Sequence, residues 1–192
     1  MHVTKVYERD LRTQLVSEIF DMLLVSDSYP FESIELHVRD MNASSIEDGK
    51  AVICVDYNDP FVLERDVKGI RTLLAHELLR LMFKFDVPRD IEDVMIGREM
   101  VRRGLGEDLC YLYYNRLLQS RPETVEAYIR ANLPWIIFAG HDKYNSELLK
   151  KLASKVCKKK FACKRLFDFL LDLSQKNLRE AVEEYKRCKA CK

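Results

Sequence analysis

The chain of 192 residues has no uninterrupted apolar run of the length that a membrane helix requires. Because such a helix takes about 20 consecutive apolar residues, the sequence predicts no membrane segment. The N-terminal stretch is charged and lacks the apolar core of a secretion signal, which predicts a cytoplasmic protein. The sequence also has no glycine-rich phosphate loop and no G-x-S-x-G nucleophile motif. It therefore gives no support to a P-loop nucleotide site or a serine-hydrolase triad.

Glutamine is scarce, with only Gln14, Gln119 and Gln175, whereas 33% of residues are charged. Many charges with little glutamine are typical of thermophile proteins. A disulfide among the six cysteines is therefore not excluded, because disulfides occur inside the cells of hyperthermophiles. With 47% hydrophobic residues the composition is that of a globular protein of one domain, or of one domain with a helical extension.

Charge is distributed unevenly along the chain. From Lys143 onward there are 15 Lys and Arg against 6 Asp and Glu, whereas the preceding part is acidic. A basic cluster in this tail is predicted to contact nucleic acid through phosphate charges, at Lys158, Lys159, Lys160, Lys164 and Arg165. A solvated helix face and a contact with an acidic protein are the alternatives.

Periodicity in the first half predicts helices and strands in alternation. Helical spacing covers residues 6–25 and 67–85, and residues 33–40 alternate as a half-buried strand does. The continuous apolar run at 51–55 predicts a buried strand, and 44–50 is assigned to a loop. We expect an α+β fold in which the two strands pair antiparallel in a small sheet beside the second helix.

The second half is predicted to be mostly helical. Apolar spacing, prolines and glycines delimit six helices, at 89–104, 107–119, 123–132, 146–158, 161–174 and 177–188. A boundary at 140–145 divides an α+β domain, residues 1–140, from a basic helical region, residues 141–192.

The helix at 67–85 is apolar around most of its circumference. It carries one narrow polar stripe, which consists of Lys68, Thr72, His76, Arg80 and Lys84, with Glu77 beside His76. Within it stands the sequence His76-Glu77-Leu78-Leu79-Arg80. This resembles the H-E-x-x-H motif of zincin metallopeptidases, with arginine in place of the second histidine. In that motif two histidines at i and i+4 bind zinc and the glutamate acts as general base. The alternative is an ordinary solvated or ion-paired helix stripe.

The resemblance extends to the gluzincin branch of that family, in which a glutamate on a following helix is the third zinc ligand. Glu99 has the matching spacing, with eighteen residues between it and Arg80. Zincins also place a strand just before the active-site helix, as residues 51–55 do here. Two positions depart from the family pattern. Arg80 replaces a histidine ligand, and Arg103 stands where the family tends to have aspartate.

Arginine has no lone pair for a metal and stays protonated. The resemblance therefore implies a metallopeptidase-like protein that has lost zinc-dependent catalysis and serves as a binding or structural module for a protein or peptide partner. We expect no cofactor, and we expect Arg80 to pair with Glu77 or Glu99. The alternative is an active peptidase with unusual ligands, for which His37 or His141 would have to approach His76.

Cysteines near the C-terminus form a second candidate site. Cys188 and Cys191 form a C-x-x-C pair among basic residues, which favour the reactive thiolate form. A redox-active or disulfide-forming pair is one interpretation, and unpaired thiols are the other. Together with Cys157 and Cys163 they would supply four thiolates for zinc or an iron–sulfur cluster. The spacing of that second pair is not the C-x-x-C of a zinc knuckle.

Overall fold

The computed structural model describes residues 1–26, 28–83, 87–118, 133–134, 136–138, 141, 168–169, 171–172 and 175–190. The chain divides into two compact units, Met1–Lys84 and Phe85–Lys192. The fold class is α+β, as predicted. The predicted boundary at 140–145 falls where only residue 141 is described, and it stays a prediction.

The first unit contains a four-stranded mixed sheet. Its strands are β1 (His2–Val6), β2 (Ser33–Arg39), β3 (Ala43–Glu47) and β4 (Lys50–Asp56), in the spatial order β1-β2-β4-β3. β2 is parallel to both β1 and β4, whereas β3 pairs antiparallel with β4 at the edge of the sheet.

Helices α1 (Leu11–Ser26) and α3 (Val67–Phe83) lie on the same face of this sheet, and the short helix α2 (Pro60–Leu63) precedes α3. Lys5 of β1 donates a hydrogen bond to Ser17 of α1, and Ser44 of β3 bonds to α3. The core between these elements consists of fully buried side chains from α1, β2, β4 and α3, among them Phe20, Leu36, Ile53, Ile70, Leu74 and Leu78. Their burial supplies the main force that holds the unit together.

Two local features set the position of α3. Asp66 caps its first turn, since one carboxylate oxygen accepts from the backbone N–H groups of Lys68 and Gly69. A Cβ at Gly69 would lie 2.2 Å from the ring of Phe61, so glycine is required for α2 to pack this closely on α3.

The sheet corrects two predictions and adds one strand. Residues 2–6 form a strand that was not predicted, and residues 43–47 form a strand although 44–50 was predicted to be a loop. The strands predicted at 33–40 and 51–55 are present, but they pair parallel. The antiparallel expectation assumed a direct hairpin between them. The intervening residues instead form β3, which takes the position on the far side of β4.

The second unit contains α4 (Arg89–Arg102), α5 (Gly106–Leu118) and α6 (Leu178–Ala190). These bounds agree with the predicted helices to within a few residues. Gly104 follows α4 with a φ of 84°, a conformation that favours glycine and ends the helix. The predicted helices at 123–132, 146–158 and most of 161–174 lie outside the described residues. Within the part of the chain that is described, no helix is long and apolar enough to cross a membrane.

Candidate functional site

The polar stripe of α3 brings three predicted residues together in the first unit. Glu77 is the centre of this group, and its side chain is only 9% exposed. Arg80, one turn further along the helix, is 12% exposed, and His76 is 17% exposed. Side chains three residues apart on a helix are neighbours, so the spacing alone places Arg80 within reach of Glu77.

The Glu77 carboxylate accepts hydrogen bonds on both oxygens. Nη1 of Arg80 lies 2.8 Å from Oε1 and 2.8 Å from Oε2. The hydroxyl of Ser44 donates to Oε2 at 2.6 Å, and Nδ1 of His76 lies 3.5 Å from Oε1. Arg80 therefore pairs with Glu77, which is the first of the two partners expected for it from the sequence.

These contacts control the ionisation of Glu77. Burial by itself raises the pKa of this carboxyl. Hydrogen bonding and charge from His76, the charge of Arg80 and the hydrogen bond from Ser44 outweigh burial and lower the pKa to about 2. At neutral pH Glu77 is thus a buried carboxylate held in its charged form.

Ser44 is a site residue that the sequence analysis missed, because residues 44–50 were assigned to a loop. A signal was present. Asp48-Gly49 is a strong hairpin signal, and both residues have positive φ, 49° and 79°, as a tight two-residue turn between β3 and β4 requires. With the hairpin in place, Ser44 on the edge strand faces the same side of the sheet as α3.

Glu99 lies on α4 in the second unit. Nε of Arg103 donates to its Oε1 at 2.9 Å, and Nη1 of Arg102 lies 3.7 Å from Oε2. The two positions that depart from the zincin pattern therefore each pair with a nearby glutamate. Arg80 pairs within α3, and Arg103, the residue that follows α4, pairs with Glu99 of α4.

The two other histidines considered as ligands have different surroundings. His37 is paired in register with Cys54, on the sheet face opposite to Ser44, so the sheet separates it from His76. It is 8% exposed, although a histidine in an alternating strand could equally face solvent. His141 is exposed and belongs to the second unit.

The remaining predicted sites are mostly outside the described residues. These are the basic cluster Lys158, Lys159, Lys160, Lys164 and Arg165, and the cysteines Cys157, Cys163 and Cys191. The backbone of Cys188 lies in α6. Among the described residues, no group of three or more His, Cys, Asp or Glu side chains has an arrangement suited to a metal ion.

Comparison of the chain with protein-family models, with curated proteins and with solved structures found no match.

Proposed function

We propose that this chain is a metallopeptidase-like protein that has lost zinc-dependent catalysis and serves as a binding or structural module. One observation carries the proposal: Nη1 of Arg80 lies 2.8 Å from both oxygens of the buried Glu77 carboxylate. In an H-E-x-x-H peptidase the residue at the position of Arg80 is a zinc ligand and the glutamate is the general base. Here those two side chains bind each other.

The chemistry of Glu77 argues against a role as general base. A base works best when its pKa is near the working pH, because it must both be ionised and take a proton readily. Contacts with His76, Arg80 and Ser44 lower the pKa of Glu77 to about 2. Such a carboxylate is ionised but accepts a proton poorly. A metallopeptidase with this glutamate would lack its proton acceptor.

The same contacts support a structural role. Arg80 balances the charge of Glu77, and Ser44 connects that carboxylate to the edge strand β3. A buried carboxylate without such partners would cost several kcal/mol, of the order of 3–5. The group of Ser44, Glu77 and Arg80 therefore fixes the hairpin of β3 and β4 against α3.

Elemental analysis for zinc tests the proposal on the full-length protein. We expect the wild type, purified with zinc in the buffer and then desalted, to retain none. Arg80→His restores the second histidine of the motif and should bind zinc. Arg71→His is the matched control, because it adds a histidine to α3 away from the polar stripe.

Each alternative gives a different result. Stoichiometric zinc in the wild type that disappears in His76→Ala would overturn the proposal in favour of an active peptidase. If Arg80→His binds zinc, and the double variant Arg80→His with Glu99→Gln still binds it, then Glu99 is not a zinc ligand. The resemblance would then no longer include Glu99. If neither the wild type nor Arg80→His binds zinc, the resemblance is confined to the helix.

A further inference from the structure

The sheet face opposite to α1 and α3 carries a row of side chains that the proposed function does not use. Across the strands, Val6 of β1, His37 of β2, Cys54 of β4 and Ala43 of β3 are register partners. His37 and Cys54 are therefore direct neighbours on one face of the sheet. On the other side of Cys54, Ala43 presents only a methyl group.

Glu35 orients His37. Nε2 of His37 lies 3.0 Å from Oε2 of Glu35, and Nζ of Lys50 donates to the other oxygen at 3.3 Å. Hydrogen bonds from His37 and then from Lys50 lower the pKa of Glu35, so its carboxylate is ionised and accepts the proton of Nε2. In the neutral ring, Nδ1 is then the bare acceptor nitrogen.

The acceptor nitrogen of His37 is buried. Among the described residues, Nδ1 has no hydrogen-bond partner, and the whole residue is 8% exposed. A buried acceptor without a donor is unfavourable unless a donor reaches it. Cys54 is the register partner of His37, and it is half-buried.

Burial raises the pKa of the Cys54 thiol, which makes the resting group a thiol that needs a base before it can react. A nucleophile beside a base that a third group orients is the general arrangement of an activated nucleophile. Here Cys54, His37 and Glu35 would be those three groups in order.

We propose that Cys54 is a site of S-thiolation by small disulfides and that His37 is the base that activates it. The sulfur of Cys54 attacks one sulfur of the disulfide while its proton passes to Nδ1 of His37. A new S–S bond forms to Cys54, the original S–S bond breaks, and the departing half leaves as a thiolate. A metal site is less favoured, because His37 and Cys54 are two ligands where zinc takes three or four.

The test treats the full-length protein with dithiodipyridine, a small neutral disulfide, and follows each cysteine by peptide mass spectrometry after acid quenching. A general base typically contributes about 10²–10⁴-fold. We expect His37→Gln to slow modification of Cys54 at neutral pH by at least about tenfold. At alkaline pH, where hydroxide removes the thiol proton, the two rates should converge. Glu35→Gln should slow Cys54 less than His37→Gln does.

Cys110 of α5 is the internal control, since it is also half-buried and belongs to the second unit. The rate of Cys110 modification should be the same in every variant, which would show that the second unit is intact. Circular dichroism of each variant tests whether the first unit is intact. The variants keep the charged groups that act on Cys54, which are Arg39, Glu47, Asp40 and Glu77. Equal Cys54 rates in the wild type and His37→Gln at neutral pH would overturn the proposal. So would a wild type in which Cys54 stays unmodified while Cys110 reacts.

Discussion

Two glutamate–arginine pairs, one in each unit, differ mainly in burial. In the first unit, Glu77 and Arg80 are 9% and 12% exposed and are joined by contacts of 2.8 Å. In the second unit, Glu99 and Arg103 are 16% and 27% exposed, and one contact of 2.9 Å joins them. Ser44, from a strand more than thirty residues away, also bonds to Glu77.

This difference decides what each pair contributes. An ion pair near solvent adds about 0–1 kcal/mol, because water screens it and the side chains lose freedom. Removing one partner of a buried pair costs far more, because the other charge stays in a medium that does not solvate it. The first pair is thus a structural centre, and the second is a helix surface pair.

The largest expected effect separates the two pairs directly. Arg80→Ala should lower the free energy of unfolding of the first unit by about 3–5 kcal/mol, because it leaves Glu77 as a buried charge. Arg103→Ala should cost about 0–1 kcal/mol. Hydrogen exchange of peptides from α3 and from α4 measures each unit separately. Equal losses in the two variants would show that burial does not distinguish the pairs.

His76→Ala sharpens the same comparison within one helix. It removes a neighbour of Glu77 but leaves the Arg80 charge in place, so it should destabilise the first unit less than Arg80→Ala does. A larger loss for His76→Ala would mean that the histidine, and not the arginine, holds the carboxylate.

Acid should lower the free energy of unfolding of the first unit by about 3 kcal/mol. The pKa of Glu77 in the folded protein, about 2, is below its ordinary value of 4.5. The contribution of Glu77 is therefore complete above about pH 4.5 and is lost as the pH falls toward 2. Urea unfolding across this range should show a steeper loss for the wild type than for Glu77→Gln. A parallel pH dependence in the two proteins would contradict the lowered pKa, and Glu99→Gln is the control from the second unit.

The smallest expected effect concerns the hydrogen bond that Ser44 of β3 donates to Glu77. Ser44→Ala should cost about 1–3 kcal/mol, because Glu77 then loses one donor in a buried position. Ser45→Ala is the matched control, since the hydroxyl of Ser45 bonds to Glu47 in an exposed position of the same strand. We expect that change to stay within about 0.5 kcal/mol. A loss at Ser45 as large as at Ser44 would assign the effect to the strand and not to the carboxylate.

Elements with a long periodic pattern could be predicted from the sequence. The helix at 67–85 corresponds to α3, and the apolar run at 51–55 corresponds to β4. β1 and β3 could not be predicted in the same way. Each has five residues, which is too few for a clear alternation, and each is stabilised as a strand by backbone bonds to a neighbouring strand. The parallel pairing of β2 and β4 was missed for the same reason, because it depends on where β3 lies.

The sequence by itself brought Arg80 within reach of Glu77, because a spacing of three residues on any helix makes the side chains neighbours. It left Glu99 as the alternative partner of Arg80. Only the tertiary structure decided that this pair is buried, that Ser44 completes it and that His37 lies on the opposite face of the sheet beside Cys54. Such contacts join residues that are far apart in the chain. They follow from the order and register of the strands, and strand order depends on the packing of the whole unit and not on any local pattern.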